Sequence, residues 1–82
     1  MTVPTPTEVY PGVVIDPRVV HGVPVLKGTR VPVQVILGHL AAGEDVVSIQ
    51  AAYAVSLEQV RAALGYAANR LAYETVLAVV NE

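Results

Sequence analysis

The chain has 82 residues, of which 54% are apolar and 15% charged, and its formal net charge is −2. That length allows one domain, the apolar content excludes an intrinsically disordered protein, and the charge leaves no global positive field to draw the molecule to nucleic acid. The absence of cysteine excludes a disulfide scaffold and thiol chemistry, and it agrees with a reducing, cytoplasmic setting.

Residues 1–12 carry Thr-Pro repeats and end in Tyr10-Pro11-Gly12, which predicts an extended N-terminal arm. The arm has no basic residue and no apolar run, so a signal peptide is not expected. The rest, residues 13–82, is expected to be a single domain. Val13-Val14-Ile15 is a β-branched run closed by Asp16-Pro17 and reads as a strand. Two or three short strands and turns are expected over 13–31, with Gly22 and Gly28 as turn residues. Strands this short need helices or a partner chain to be stable.

From Pro32 the period becomes helical. Val33, Ile36, Leu37 and Leu40 mark one buried face, and Gly43 ends the helix. Asp45 caps a second helix with Val46, Ile49 and Tyr53 on one side. Ser56 and Gln59 have the spacing of a capping box that opens a third. With no further proline, this helix can run from Leu57 to about Val80, roughly 36 Å at 1.5 Å per residue. Leu57, Val60, Leu64, Ala67 and Leu71 suggest its inner seam. A second stripe, Tyr66, Tyr73, Val76, Leu77 and Val80, suggests a partner-binding face. No stretch is long and apolar enough to cross a bilayer.

The second and third helices, with only Ala54-Val55-Ser56 between them, have helix-turn-helix spacing. In that arrangement Gln59 and Arg61 would face bases, and Lys27 and Arg30, on the basic turn Lys27-Gly28-Thr29-Arg30, would hold phosphates. The same residues fit a small bundle in which Glu58 and Arg61 form an ordinary surface pair and Gly28 supplies a turn. The order Lys-Gly-Thr is not that of a P-loop. His21 and His39 lack zinc-ligand spacing, and neither Ser48 nor Ser56 has a base at hand. No metal, cofactor or catalytic group is expected, and the chain reads as a binding protein, not an enzyme.

Val13-Val14-Ile15-Asp16-Pro17, the string Gly22-x-Pro24-Val25-Leu26-Lys27-Gly28-Thr29-Arg30-Val31-Pro32-Val33 and the later Arg61-Ala62-Ala63-Leu64-x-Tyr66-Ala67-Ala68 resemble the domain-of-unknown-function 433 family over roughly residues 13–68. The resemblance implies a mainly α, homeodomain-like three-helix helix-turn-helix unit preceded by short β-strands. It also implies an antitoxin of a type II toxin–antitoxin pair, partnered by a PIN-like nuclease toxin and binding its own promoter DNA. Two departures from the family pattern stand out: Val47-Ser48 replace acidic residues in the second helix, and Ala54 stands where proline often follows the tyrosine. The small-residue core and the surplus stripe predict an intertwined homodimer. A stand-alone DNA-binding regulator, or a homodimeric interaction module that binds no nucleic acid, are the alternative functions.

Overall fold

The computed structural model describes residues 5–80, the last six as helix backbone only. Three short strands are followed by three helices: β1 (Thr7–Tyr10), β2 (Val13–Ile15), β3 (Val25–Leu26), α1 (Val33–Ala41), α2 (Val46–Tyr53) and α3 (Leu57–Val80). The strands form one antiparallel sheet in the order β1-β2-β3.

The C-terminal end of the stretch read as an arm is therefore a strand. Pro11 and Gly12 explain it. Proline presets the first turn position, and Gly12 takes a φ of +88°, so the chain folds back sharply and Tyr10 pairs with Val13. An irregularity at Val9 then restores the register, with Glu8 opposite Val14 and Thr7 opposite Ile15. β2 continues the pairing through Val13–Leu26 and Val14–Val25.

Between β2 and β3 the β-branched run Val19-Val20 does not extend as a strand. The Asp16 carboxylate prevents it. Its Oδ1 accepts from the Arg18 backbone N–H at 2.9 Å, and the Arg18 guanidinium grips both oxygens at 3.1 Å. Asp16 itself is only 7% exposed. The turn so started runs into a left-handed stretch, with φ of 46° at Val20, 55° at His21 and 79° at Gly22. Such values are uncommon for non-glycine residues, above all for a β-branched valine.

The helices begin and end largely as their sequence signals require. Pro32 is the residue immediately before α1, one position outside the helix. Val33 and Ile36 are buried there, with Leu37 and Leu40 half-buried beside them. The Asp45 carboxylate caps α2 by accepting from the Ser48 N–H at 2.8 Å. Ser56 and Gln59 form the reciprocal box at the start of α3, with bonds of 2.7 and 3.1 Å. Val13, Leu26, Val33, Ile36, Ile49, Val55, Val60 and Ala63 make one core, in which nothing is bulkier than leucine or isoleucine.

The inner seam of α3 differs from the expected one. Val60 and Ala63 face the core, whereas Leu57, Leu64 and Leu71 are 42%, 47% and 64% exposed. On the side of α3 under β1, the Tyr10 ring lies against Gly65. A β-carbon there would stand 2.9 Å from the ring's Cζ. Gly12 meets Ala62 just as closely, at 3.0 Å for an added β-carbon. The strands therefore occupy the side of α3 that sequence periodicity would leave to solvent.

The Arg18 guanidinium holds the Asp16 carboxyl below the usual carboxylate range, and the Arg18 N–H adds to this. A lowered folded-state value contributes stability above the unfolded pKa of about 4 and loses it as pH falls further. Asp16→Asn should therefore destabilise the protein at pH 7, and its urea midpoint should converge with the wild-type midpoint below pH 4. A difference independent of pH would remove the ion pair from the account.

Candidate partner-binding surfaces

The basic turn after β3 is closed on itself. Gly28 has a φ of +78°, the Thr29 N–H donates to the Leu26 carbonyl at 3.0 Å, and the Thr29 hydroxyl donates to the same oxygen at 2.8 Å. The Val31 N–H donates to Thr29 Oγ1 at 3.0 Å, and the Lys27 N–H donates to the Gly12 carbonyl at 2.9 Å. Three backbone donors that could have cradled a phosphate are thus engaged inside the protein. The side chains of Lys27 and Arg30 are therefore the main groups that this turn offers a ligand. Lys27 Nζ lies 3.4 Å from Glu8 Oε2 across the sheet. The Gly12 N–H, which donates to that carboxylate, and then the Lys27 charge hold Glu8 below its ordinary value. Arg30 is exposed.

The link between α2 and α3 has a defined shape. Ala54 ends α2 in the left-handed region, at φ 53° and ψ 44°, while its N–H donates to the Gln50 carbonyl. Val55 is buried in the core, and Ser56 caps α3. The start of α3 turns Glu58 and Arg61 outward. Gln59 is half-buried, and its amide oxygen accepts from the Ser56 N–H, so the residue expected to read bases serves as a cap. Arg61 stands on the exposed side with Leu57 and Leu64 as helical neighbours. The departure at Ala54 is a difference of geometry and not only of rigidity, since proline cannot take a positive φ. Val47, in place of a family acidic residue, is exposed.

One polar cluster was not legible in the sequence. His39, at the end of α1, lies with Nδ1 2.9 Å from Glu44 Oε1 and Nε2 2.7 Å from the Tyr53 hydroxyl. With the Nδ1 proton donated to Glu44, Nε2 is left to accept from the phenol. The imidazole and phenol rings are 5.3 Å apart. This chain of contacts straps the ends of α1 and α2 together across the Gly43 turn. No group of three His, Cys, Asp or Glu residues capable of holding a metal ion occurs among the described residues.

The apolar surfaces are larger. An open cavity of about 260 Å³ lies between the loop before β3, α1 and α3, lined by Val23, Pro24, Pro32, Val33, Gln34, Leu37 and Tyr66. Tyr66 is half-buried, forms one wall, and packs edge-on against Tyr10 with ring centroids 6.3 Å apart. Tyr73, two helical turns further, is 57% exposed. The side chains of Val76, Leu77 and Val80, expected on the same face, lie outside the described residues. No described helix is long and apolar enough to cross a membrane.

A left-handed alanine costs roughly 1–2 kcal/mol, and glycine removes that strain at an unfolded-state cost of about 0.4–1 kcal/mol. Ala54→Gly should therefore stabilise the protein by about 0.5–1 kcal/mol. Ala54→Pro should destabilise it by more than 1–2 kcal/mol, losing both the φ and the bond to Gln50. Urea denaturation of the two variants checks the sign of each.

Compared with known proteins, residues 13–67 match the model of a family described as a protein of unknown function (DUF433). No curated protein and no solved structure matches the chain.

Proposed function

The chain belongs to the DUF433 family, and we propose that it is the antitoxin of a type II toxin–antitoxin pair, a binding protein that holds a PIN-like nuclease through the C-terminal half of α3. The observation that carries this reading is the mismatch between α3 and the body beneath it. Burial along the helix ends at Ala67, every described residue from Ala68 to Glu74 is exposed, and the helix continues to Val80. Those seven exposed residues alone make about 10 Å of uncovered helix. Eight of the ten residues from Leu71 to Val80 are apolar. A helix apolar on most sides is one that another surface covers, and laying such a helix into a partner's groove is an established mode of recognition. The cavity beside Tyr66 stands at the foot of this segment and offers a socket for an apolar side chain of the nuclease.

Promoter binding is the second reading, favoured by the short capped connection between α2 and α3. In it Lys27 and Arg30 hold phosphates. Gln59 is committed to its cap, and Arg61 is flanked by leucines, so protein binding is the better supported use of α3.

Truncation after Ala72 tests the first reading. The shortened chain should keep its fold, because every buried residue among the described ones is retained, and should no longer co-purify with a PIN-like nuclease encoded beside it. Undiminished capture by the shortened chain, or no capture by the full chain, would overturn the reading. For the second, Lys27→Ala and Arg30→Ala should each flatten the salt dependence of promoter binding by about one unit. Absence of any promoter retardation at low salt would eliminate it.

A further inference from the structure

Glu44, His39 and Tyr53 form a chain of three titratable groups that the binding surfaces do not use. The Glu44 carboxylate only accepts, so its contact at 2.9 Å places the proton of the neutral imidazole on Nδ1. The Nε2 lone pair is then aimed at the Tyr53 hydroxyl, which donates to it at 2.7 Å. A hydroxyl bonded to a base, with the base oriented by a carboxylate, is the general arrangement of an activated nucleophile. We propose that Tyr53 is a site of covalent acylation, at which the phenol oxygen attacks an activated acyl ester or thioester while His39 takes its proton.

The fold holds these groups in place and leaves them within reach of a reagent. Tyr53 is the last residue of α2, half-buried and packed against the core. His39 lies in the last turn of α1 with its side chain 32% exposed, and Glu44, on the link between the helices, is 48% exposed. Both ring nitrogens of His39 are engaged, so the base is already oriented when an electrophile arrives. The fixed charge of the cluster is that of Glu44. Being negative, it works against a polyanionic phosphoryl donor and leaves a neutral acyl carbonyl as the matching electrophile. In the step, the bond from the phenol oxygen to the carbonyl carbon forms and the bond to the leaving oxygen or sulfur breaks. The proton passes through Nε2 to the leaving group.

The product is an aryl ester, which has no proton to donate. Acylation therefore removes the bond from Tyr53 to His39 and opens the strap between the ends of α1 and α2. The site lies on those two helices, so the inference stands apart from the nuclease reading, which rests on α3.

The full chain is treated with p-nitrophenyl acetate near neutral pH, and the labelled tyrosines are identified by peptide mass spectrometry. Tyr53 should be acetylated about tenfold faster than Tyr73, which is 57% exposed. Hydroxylamine should remove the label, as an ester requires. His39→Gln should bring the Tyr53 rate down to that of Tyr73 or below, with an unchanged far-UV helix signal. Tyr53→Phe should abolish the burst of nitrophenolate that accompanies labelling, which separates attack by the phenol from attack by the imidazole. Glu44 is a positioning residue, so Glu44→Ala should slow the labelling of Tyr53 and shift the His39 ring nitrogen resonances away from the Nδ1–H form. Tyr53 labelled no faster than Tyr73, an unchanged Tyr53 rate in His39→Gln, or a wild-type burst in Tyr53→Phe would each overturn the proposal. The first and third of these decide it even if His39→Gln does not fold.

Discussion

A core whose bulkiest members are leucine and isoleucine can close only if backbones come near one another. Here that approach is made at two glycines. Gly12 turns the hairpin down onto Ala62, and Gly65 makes the landing for the Tyr10 ring. Tyr10 supplies the bulk that the aliphatic core lacks, and Tyr66 meets it edge-on. Once the hairpin is seated, β3 is placed beside β2. The turn that follows brings the Val33 N–H back to donate to the Pro24 carbonyl at 3.0 Å, which fixes the start of α1. The sheet is too small to stand alone, and its position is set by what it touches on α3.

The same contact divides the long helix into faces. The hairpin takes one side and the core another, leaving the leucine face outward along the first half. From Ala68 to Glu74 the body no longer covers α3 on any side. The molecule thus has more apolar helix than one small body can cover, which agrees with a protein whose work is to be bound. Its charges agree as well. Of five Lys and Arg residues, Arg18 and Lys27 are paired with carboxylates of the same chain, so two of the five cations are already balanced within the molecule.

How much of this the sequence displayed depends on how local each determinant is. The Asp45 cap and the Ser56–Gln59 box rest on partners three residues apart, and both were readable. So were the buried faces of α1 and α2 and the span of α3. The seam of α3 was not, because Leu57, Leu64 and Leu71 fit equally well with Val60 and Ala67 on one flank or Arg61 and Ala68 on the other. Periodicity reports a stripe without saying which neighbour covers it. β1 was read as an arm since its Thr-Pro surroundings suggest an extended chain, and its pairing depends on Gly12 and on a landing site at Gly65. The Glu44–His39–Tyr53 strap joins two helix ends whose apposition no local pattern encodes. Of the residues expected to contact DNA, Lys27 and Arg30 are on the surface, and Gln59 is engaged in the cap that its spacing from Ser56 encodes.

The seating of Tyr10 on α3 also bears on the order in which the molecule assembles. Tyr10 and Tyr66 are more than fifty residues apart in the chain, and closing a loop of that length costs roughly 3–4 kcal/mol of chain entropy. The contacts among α1, α2 and α3 span far shorter loops and recover their ordering cost early. The expected sequence of events is therefore a helical unit that forms first, with the hairpin docking late onto a surface already made. Until it docks, Val13 and its β3 partners stand uncovered, and the N-terminal segment is the last part of the molecule to become protected.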